Sequence, residues 1–293
     1  MTIVSGKEII QNARSAGYAA GAFNTNNLEW SQAILRVAQA KQAPTLIAAS
    51  MGAIKYMGGF KVVADMIRNL DAAMEITVPI AIHLDHGTFD GAKQAIEAGF
   101  TSVMFDGSDL PVEENLAKTR KIVELAHAKG VSVEGEVGSI GGEEDGVIGS
   151  GEIAPIDDAI AMVATGIDFL AAGIGNIHGA YPANWQGLRL DHLESLADAV
   201  NASVGFNVPI VLHGGSGVPD EQIKTAIAHG VAKVNVNTEA QLAFHDAIRK
   251  YVLSDEDLIG KNYDPRKFLA PGVKAIETAL GERVDVFGSG NQA

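Results

Sequence analysis

Cysteine is absent from the 293 residues. That absence removes disulfides, iron–sulfur clusters and thiolate metal sites, and leaves His, Asp and Glu as the side-chain ligands to consider. It also fits a reducing compartment, so a cytoplasmic location is expected. Long apolar runs are missing as well. No stretch approaches the roughly 18 uninterrupted apolar residues of a membrane span. The opening residues, MTIVSGKEIIQNARSAGY, carry no long apolar core after a basic start, so no signal peptide is expected. Positive charge is scarce: 22 Lys and Arg stand against 36 Asp and Glu, for a formal net charge of −14. Nucleic acid and anionic membranes are therefore poor partners, because affinity for nucleic acid rests mainly on neutralising phosphates with cations. A phosphorylated metabolite is not excluded, since it needs a few local donors and a metal rather than a positive whole.

What is present points to one large α/β domain over residues 1–293. Apolar residues make up 47% and charged residues 20%, enough for a sizeable core. Short β-branched runs predict eight strands: Ala19–Asn24, Pro44–Ser50, Pro79–Leu84, Thr101–Asp106, Val131–Glu136, Ile167–Ala172, Val208–His213 and Val231–Asn235. Helical periodicity lies between them, as in Trp30, Ala33, Ile34, Val37 and Ala38, and Pro155 and Pro219 sit at expected helix starts. Runs such as PIAIHL and VPIVLH are continuously apolar, as expected of parallel strands covered on both faces. Eight βα units with one composition regime predict a closed (β/α)8 TIM barrel with a C-terminal helical extension over 254–293. A doubly wound dinucleotide fold would want G-x-G-x-x-G after an early strand; the first strand ends in FNTNN instead. The Gly- and acid-rich stretch 138–154 predicts a mobile active-site loop. The tail beyond Leu253 predicts a linker and one extra helix, placed either across the barrel or against a partner subunit.

Catalytic groups in a barrel converge from the carboxyl ends of different strands. Here reactive residues cluster there: His83, Asp85 and His86 in HLDHG, Asp106 in FDGS, Glu134 and Glu136 in VEGEVG, His178 in GNIHG, His213 in LHGGSG, and Asn235, Asn237 and Thr238 in NVNTE. Three histidines at three strand ends suggest a catalytic zinc site with an open position, with His86, His178 and His213 as ligands. Each borders a glycine, which lets the backbone turn there. His83 is expected to support or pack rather than ligate; His127, His192, His229 and His245 lie in helical stretches and are expected at the surface. Asp85 is the carboxylate nearest the metal, able to orient a ligand or relay a proton. Asp106 and Glu136 offer a second metal position or hold the ligands. Two carboxylates on one face of the fifth strand, Glu134 and Glu136, are costly in an interior without a cation or base beside them. Acids Glu143, Glu144 and Asp145 on the loop read either as solvated surface or as a mobile carboxylate that abstracts a proton.

The loops after the last two strands suit a phosphate. HGGSG offers consecutive amide groups, Ser216 and Thr238 add hydroxyls, and both loops run into helix N-termini. Lys233, in the eighth strand, is open to a Schiff-base role, but three converging histidines would then have no task. An interior lysine that neutralises acids or supports the phosphate site is the preferred reading.

These motifs, with GAFNTNNLEWSQAIL, FDGSDLPVEENL, GGEEDG and DPRKFLAPGVKAI, run through essentially the whole chain in order. The sequence resembles the class II, metal-dependent fructose-1,6-bisphosphate aldolases. The resemblance implies reversible cleavage of the bisphosphate to dihydroxyacetone phosphate and glyceraldehyde 3-phosphate. It implies His86, His178 and His213 as ligands of a catalytic zinc, with Asp106 and Glu136 at a second or resting metal position. Asp85 would exchange a proton with the C4 hydroxyl, and Glu144 would move the proton at C3. Gly179, Gly214, Gly215, Ser216, Asn237 and Thr238 would hold the dihydroxyacetone phosphate end, and Asn235 would steady the enediolate. Asn24, Ser50 and Arg266, with Lys261 a weaker candidate, would serve the other end. A monovalent cation, Na+ or K+, would sit on carbonyls near Ile177, Gly179 and Gly214, and a homodimer or larger homo-oligomer would be usual. Two departures stand out: FDGSD puts Asp109 where histidine is more frequent, and VEGEVG has Gly135 where alanine is more frequent. Tagatose-1,6-bisphosphate aldolase is the nearest alternative. A metal-dependent barrel hydrolase is a second, and an inactive interaction protein is a third that leaves the polar strand ends without a role.

Overall fold

The computed structural model describes the backbone of residues 2–144, 147–149 and 151–293, and their side chains except at 143, 144, 147 and 148. Eight parallel strands close into a barrel. They are β1 (Ala20–Asn24), β2 (Thr45–Ser50), β3 (Ile80–Gly87), β4 (Ser102–Phe105), β5 (Ser132–Val137), β6 (Phe169–Ala172), β7 (Ile210–Leu212) and β8 (Val231–Val236). Each pairs with its sequence neighbours, and β8 closes on β1 with Ala22 opposite Asn235. All eight predicted strands are found, most trimmed by a residue or two at their ends. β3 instead runs on through His86 to Gly87 across a register shift against β4, and β5 and β8 each run one residue past the predicted end.

The outer faces of the strands pack on the helices in one continuous apolar layer. The inner face holds a second, separate cluster. Leu46, Ala81, Met104, Phe169, Ala171, Val211 and Ala232 meet Ile9, Ile10 and Ala13 of the helix Gly6–Ala16. That helix precedes β1 and stops the amino-terminal end of the barrel like a plug. A Cβ on Gly6 would lie 2.7 Å from Ser102 Oγ and 2.8 Å from Ser132 Oγ, so the helix enters this close only because its first residue has no side chain.

Two segments outside the barrel strands have structure of their own. The loop over 138–154 contains a hairpin, Gly141–Glu144 against Val147–Gly149, and its first strand also pairs in parallel with Ile177–His178. The tail over 254–293 holds a 3-10 turn at Glu256–Leu258, a short helix Pro265–Phe268 and the terminal helix Ala270–Phe287. The terminal helix joins the outer ring, packed against Thr238–Leu253, Leu28–Lys41 and β1, and leaves the barrel mouth open. Among the four helical histidines, His127 and His245 are exposed while His192 and His229 are half-buried, and His192 Nε2 donates to Ala154 O at 2.7 Å.

Candidate metal centre at the barrel mouth

The backbone aims the histidines before any side chain does. His86 sits at φ 45°, in the left-handed region that only a few non-glycine types visit readily. The register shift and this turn send its ring over the mouth. Gly87 must follow, because a Cβ there would lie 2.6 Å from Met104 O. Likewise Gly214, at φ 64°, brings the chain after His213 so near Ile177 that a Cβ would meet its carbonyl oxygen at 2.2 Å. The strand Ile177–His178, docked on the hairpin, brings in the third ring.

Ligand atoms of His86, His178 and His213 all lie within 4.8 Å of one another. His86 Nε2 and His213 Nδ1 face each other at 3.0 Å. Two nitrogens about 2.0–2.1 Å from one zinc stand about 3.3 Å apart at the tetrahedral angle, so this spacing needs little change to share an ion. The far nitrogens fix which atoms face the ion. His86 Nδ1 donates to Asp106 Oδ2 at 2.7 Å, and His213 Nε2 donates to Glu134 Oε1 at 2.7 Å. In a neutral ring each such bond puts the proton on the far nitrogen and the lone pair on the inward one, the usual support for a metal-bound imidazole; without metal, protonated His86 donates from Nε2 to His213 Nδ1 instead. A second donor group, His86, Asp106 and Glu136, adjoins the first. Glu136 Oε2 is buried without a hydrogen-bond partner. Burial, then the charge of Asp106, holds this carboxyl well above the ordinary carboxylate range. An unpaired buried oxygen beside three imidazoles is what a site built for a cation looks like without one, so the donor set fits a divalent metal.

Glu134 and Lys233 form the base beneath this centre. Lys233 Nζ donates to Glu134 Oε2 at 2.8 Å, and both side chains are fully buried. Burial works against the Glu134 carboxylate, but Lys233 and His213 overcome it and hold it at about 2. Lys233 therefore takes the acid-neutralising role expected of it, and Glu134 is the position that sequence reasoning left without a task. His83 supports from below, its Nδ1 2.8 Å from Ser102 Oγ. Burial opposes a charge on His86 too, yet the hydrogen bond to Asp106 and the charges of Asp85, Asp106 and Glu136 push it up to about 10. Burial, then the charges of His86 and His213, lowers His178 to about 3. Without metal, protonation is thus concentrated on one ring of the three.

Asp85 faces the same space, its Oδ1 4.0 Å from His213 Nδ1. Asn24 Nδ2 donates to its Oδ2 at 2.8 Å and Asn235 Nδ2 to its Oδ1 at 3.0 Å. Burial raises the Asp85 carboxyl, but His86, His213 and Lys233 outweigh it and hold it far below the usual range. Asp85, Asn24, Asn235, His178, Gly179, Gly214, Ser216, Asn237 and Thr238 line one cleft. Gly215 lies behind it, its amide donating to Asn235 O at 2.9 Å. On the other side of His86 and His178 opens a cavity of about 560 Å³, bounded by Asp106, Asp109, Glu136, Met51 and Lys55. Lys55 was missed from the sequence because it sits inside an ordinary helical pattern.

Other predicted positions fall elsewhere. Ser50, at the end of β2, accepts from Ala53 N–H at 3.3 Å and starts the helix that edges the large cavity. Arg266 is 88% exposed, pairs with Asp264, and lines a groove against Leu28–Lys41 rather than either mouth cavity. Lys261 is exposed and lines neither. The Glu144 backbone ends a hairpin strand, but its side chain and those of Glu143 and Asp145 lie outside the described residues.

With this geometry in hand, comparison with known proteins is direct. Residues 4–292 match the family described as "Fructose-bisphosphate aldolase class-II". The chain is 66% identical to the fructose-bisphosphate aldolase of Streptococcus pyogenes, with 100% of each covered. It is 47% identical to that of Mycoplasma pneumoniae, over 99% of this chain and 100% of the relative. Among solved structures, the fructose-bisphosphate aldolase of Campylobacter jejuni superposes with a TM-score of 0.86 at 26% identity, over 99% of this chain and 97% of the other.

Proposed function

Since the chain belongs to the class II fructose-bisphosphate aldolase family, which is metal-dependent, we propose that it reversibly cleaves D-fructose 1,6-bisphosphate with zinc held by His86, His178 and His213. The observation that carries this reading is the approach of those three ligand atoms to within 4.8 Å beside Asp85. Three imidazoles with one open position favour zinc. When bound, the metal supplies Lewis-acid stabilisation to negative charge developing on substrate oxygens. Asp85 takes the proton of the C4 hydroxyl as the C3–C4 bond breaks, its orientation fixed by Asn24 and Asn235. Glu144 carries the proton to and from C3. The amides of Gly179, Gly214, Asn237 and Thr238, with the Ser216 hydroxyl, receive the dihydroxyacetone phosphate end, while Gly215, whose amide is used on Asn235 O, shapes the loop behind them. Asp106 orients His86 and shares with Glu136 a second cation position. A monovalent cation fits carbonyls where Ile177 and Gly214 meet.

The distal end of the substrate falls to Ser50 and the large cavity. Arg266 reaches that end only from a neighbouring subunit, which accords with a homo-oligomer. The exposed apolar side chains Leu242, Leu253, Leu258, Ile259 and Tyr263 support such an assembly. Among the described residues no helix is long and apolar enough to cross a membrane, and a cytoplasmic location is the reading adopted with it. The test is triose release from fructose 1,6-bisphosphate before chelation, after it, and after zinc is restored. Activity should vanish and return; full turnover by verified metal-free protein overturns the reading. A kcat/KM for tagatose 1,6-bisphosphate above that for the fructose ester would reassign the sugar.

A further inference from the structure

The terminal helix Ala270–Phe287 reaches the active face through one side chain. Arg283 is only 13% exposed. Its Nη1 donates to Asp220 Oδ1 at 2.9 Å, and its Nε lies 3.3 Å from Glu239 Oε1, in ionic contact but off the line of a hydrogen bond. Asp220 opens the helix Asp220–Ala228, and Glu239 stands in the first turn of Thr238–Leu253. The loops that lead into these two helices are already joined. Gly215 N–H donates to Asn235 O at 2.9 Å and Glu239 N–H to Ser216 Oγ at 3.1 Å. Arg283, Asp220 and Glu239 line a cavity of about 460 Å³ that shares Gly179, Ser216 and Thr238 with the cleft beside Asp85.

A carboxylate in the first turn of a helix is favoured by the positive end of the helix dipole. It also competes with a bound anion for the same field. Two such carboxylates flanking one anion site would repel a phosphate dianion unless a cation offset them. Among the described residues lining this cavity, Arg283 is the cation that does so.

We propose that Arg283 is a positioning residue for the phosphate-binding loops: its guanidinium clamps the first turns of both helices and offsets carboxylate charge that would weaken phosphate binding. The inference rests on the aldolase reading, which assigns the phosphate end to these loops. It gives the C-terminal extension a part in substrate affinity without contact to the reacting atoms.

The experiment compares wild-type, Arg283→Lys and Arg283→Met in the metal-loaded full chain. KM and kcat are measured for fructose 1,6-bisphosphate, and the Kd of inorganic phosphate by calorimetry. In Arg283→Met, KM and phosphate Kd should rise roughly tenfold, the size of one charge-assisted contact, with kcat and metal content little changed. Lysine keeps the charge but cannot span both carboxylates with a planar fork, so Arg283→Lys should fall between. Adding Asp220→Asn to Arg283→Met should recover part of the phosphate affinity. Unchanged KM and Kd in folded Arg283→Met, or a fall in kcat alone, overturns the proposal. If the methionine variant does not fold, wild-type values in Arg283→Lys overturn it. Phosphate binding that depends on Arg283 in a wild-type protein without aldolase activity would support this inference and defeat the functional reading instead.

Discussion

At its amino-terminal end the barrel is stopped by Ile9, Ile10 and Ala13 against Leu46, Met104, Phe169 and Val211, with Phe169 and Ile10 fully buried. Nearer the mouth, on β3, β5 and β8 and just after β7, the interior holds Lys233, Glu134, His83, Asp85 and His213, equally buried. One end is closed by apolar side chains, with Lys7 and Asp168 paired at its edge; the other concentrates charge and is open. The difference shows how one fold separates stability from chemistry. Apolar burial at the plug supplies free energy that a mouth full of desolvated charge cannot, because pairing buried ions recovers their desolvation cost only in part. It also sets where each kind of damage should be felt.

The sharpest test of that division is His213→Ala. It removes a ligand and frees Glu134 from its imidazole partner. Bound zinc should be lost and kcat should fall on the order of 10³-fold or more, since Lewis-acid stabilisation is worth several kcal/mol. Metal analysis beside steady-state rates checks both, and normal metal content with full activity would remove His213 from the centre. Next is Lys233→Met, which strands Glu134 in the interior. Breaking a buried ion pair costs about 3–5 kcal/mol. Losing support behind a ligand should weaken zinc affinity about 10–100-fold. Urea unfolding and competition with a chelator measure the two; unaltered affinity would mean that Glu134 holds His213 without the lysine. At the opposite end, Ile10→Ala should cost about 2–5 kcal/mol of stability while kcat stays near wild type. A large change in kcat from that substitution would break the comparison itself, because the plug would then be part of the catalytic machinery.

Much of this division was legible in the sequence. Strand periodicity located all eight barrel strands, and the polar strand ends marked the mouth. The histidines could be chosen because barrel topology turns a position at a strand end into a position in space. What stayed hidden depends on pairing across the barrel. The cost of two acids on β5 predicts a compensating base, but that Lys233 serves Glu134 and leaves Glu136 Oε2 without a partner is set by strand tilt and register. The plug escaped notice because Gly6–Ala16 reads as any amphipathic helix until Gly6 is seen against Ser102 and Ser132. Arg266 shows the opposite failure. A matching segment carries its residue type but not its place relative to the mouth, and within this chain it points into solvent beside Asp264.

The smallest effect isolates one ring at the boundary between the two ends. His83 is fully buried, and burial, then Lys233, holds its imidazole down to about 3 against the pull of Glu134 and Asp85. In the unfolded chain the same ring titrates near its ordinary 6.5. Between these values unfolding takes up a proton that the folded state refuses. The contribution of His83 is therefore fully present above pH 6.5 and is lost as pH falls toward 3, at about 1.4 kcal/mol per pH unit. His83→Gln keeps a polar partner for Ser102 and cannot titrate. With chelator present in both samples, so that metal release cancels, unfolding free energies from pH 6.5 down to 4.5 should fall less steeply in the variant by that slope. Parallel lines would mean that His83 already carries a proton in the folded barrel. Glu134 would then face two cations, His83 and Lys233, beside the neutral His213 ring that donates to it, and the charge balance beneath the metal centre would have to be redrawn.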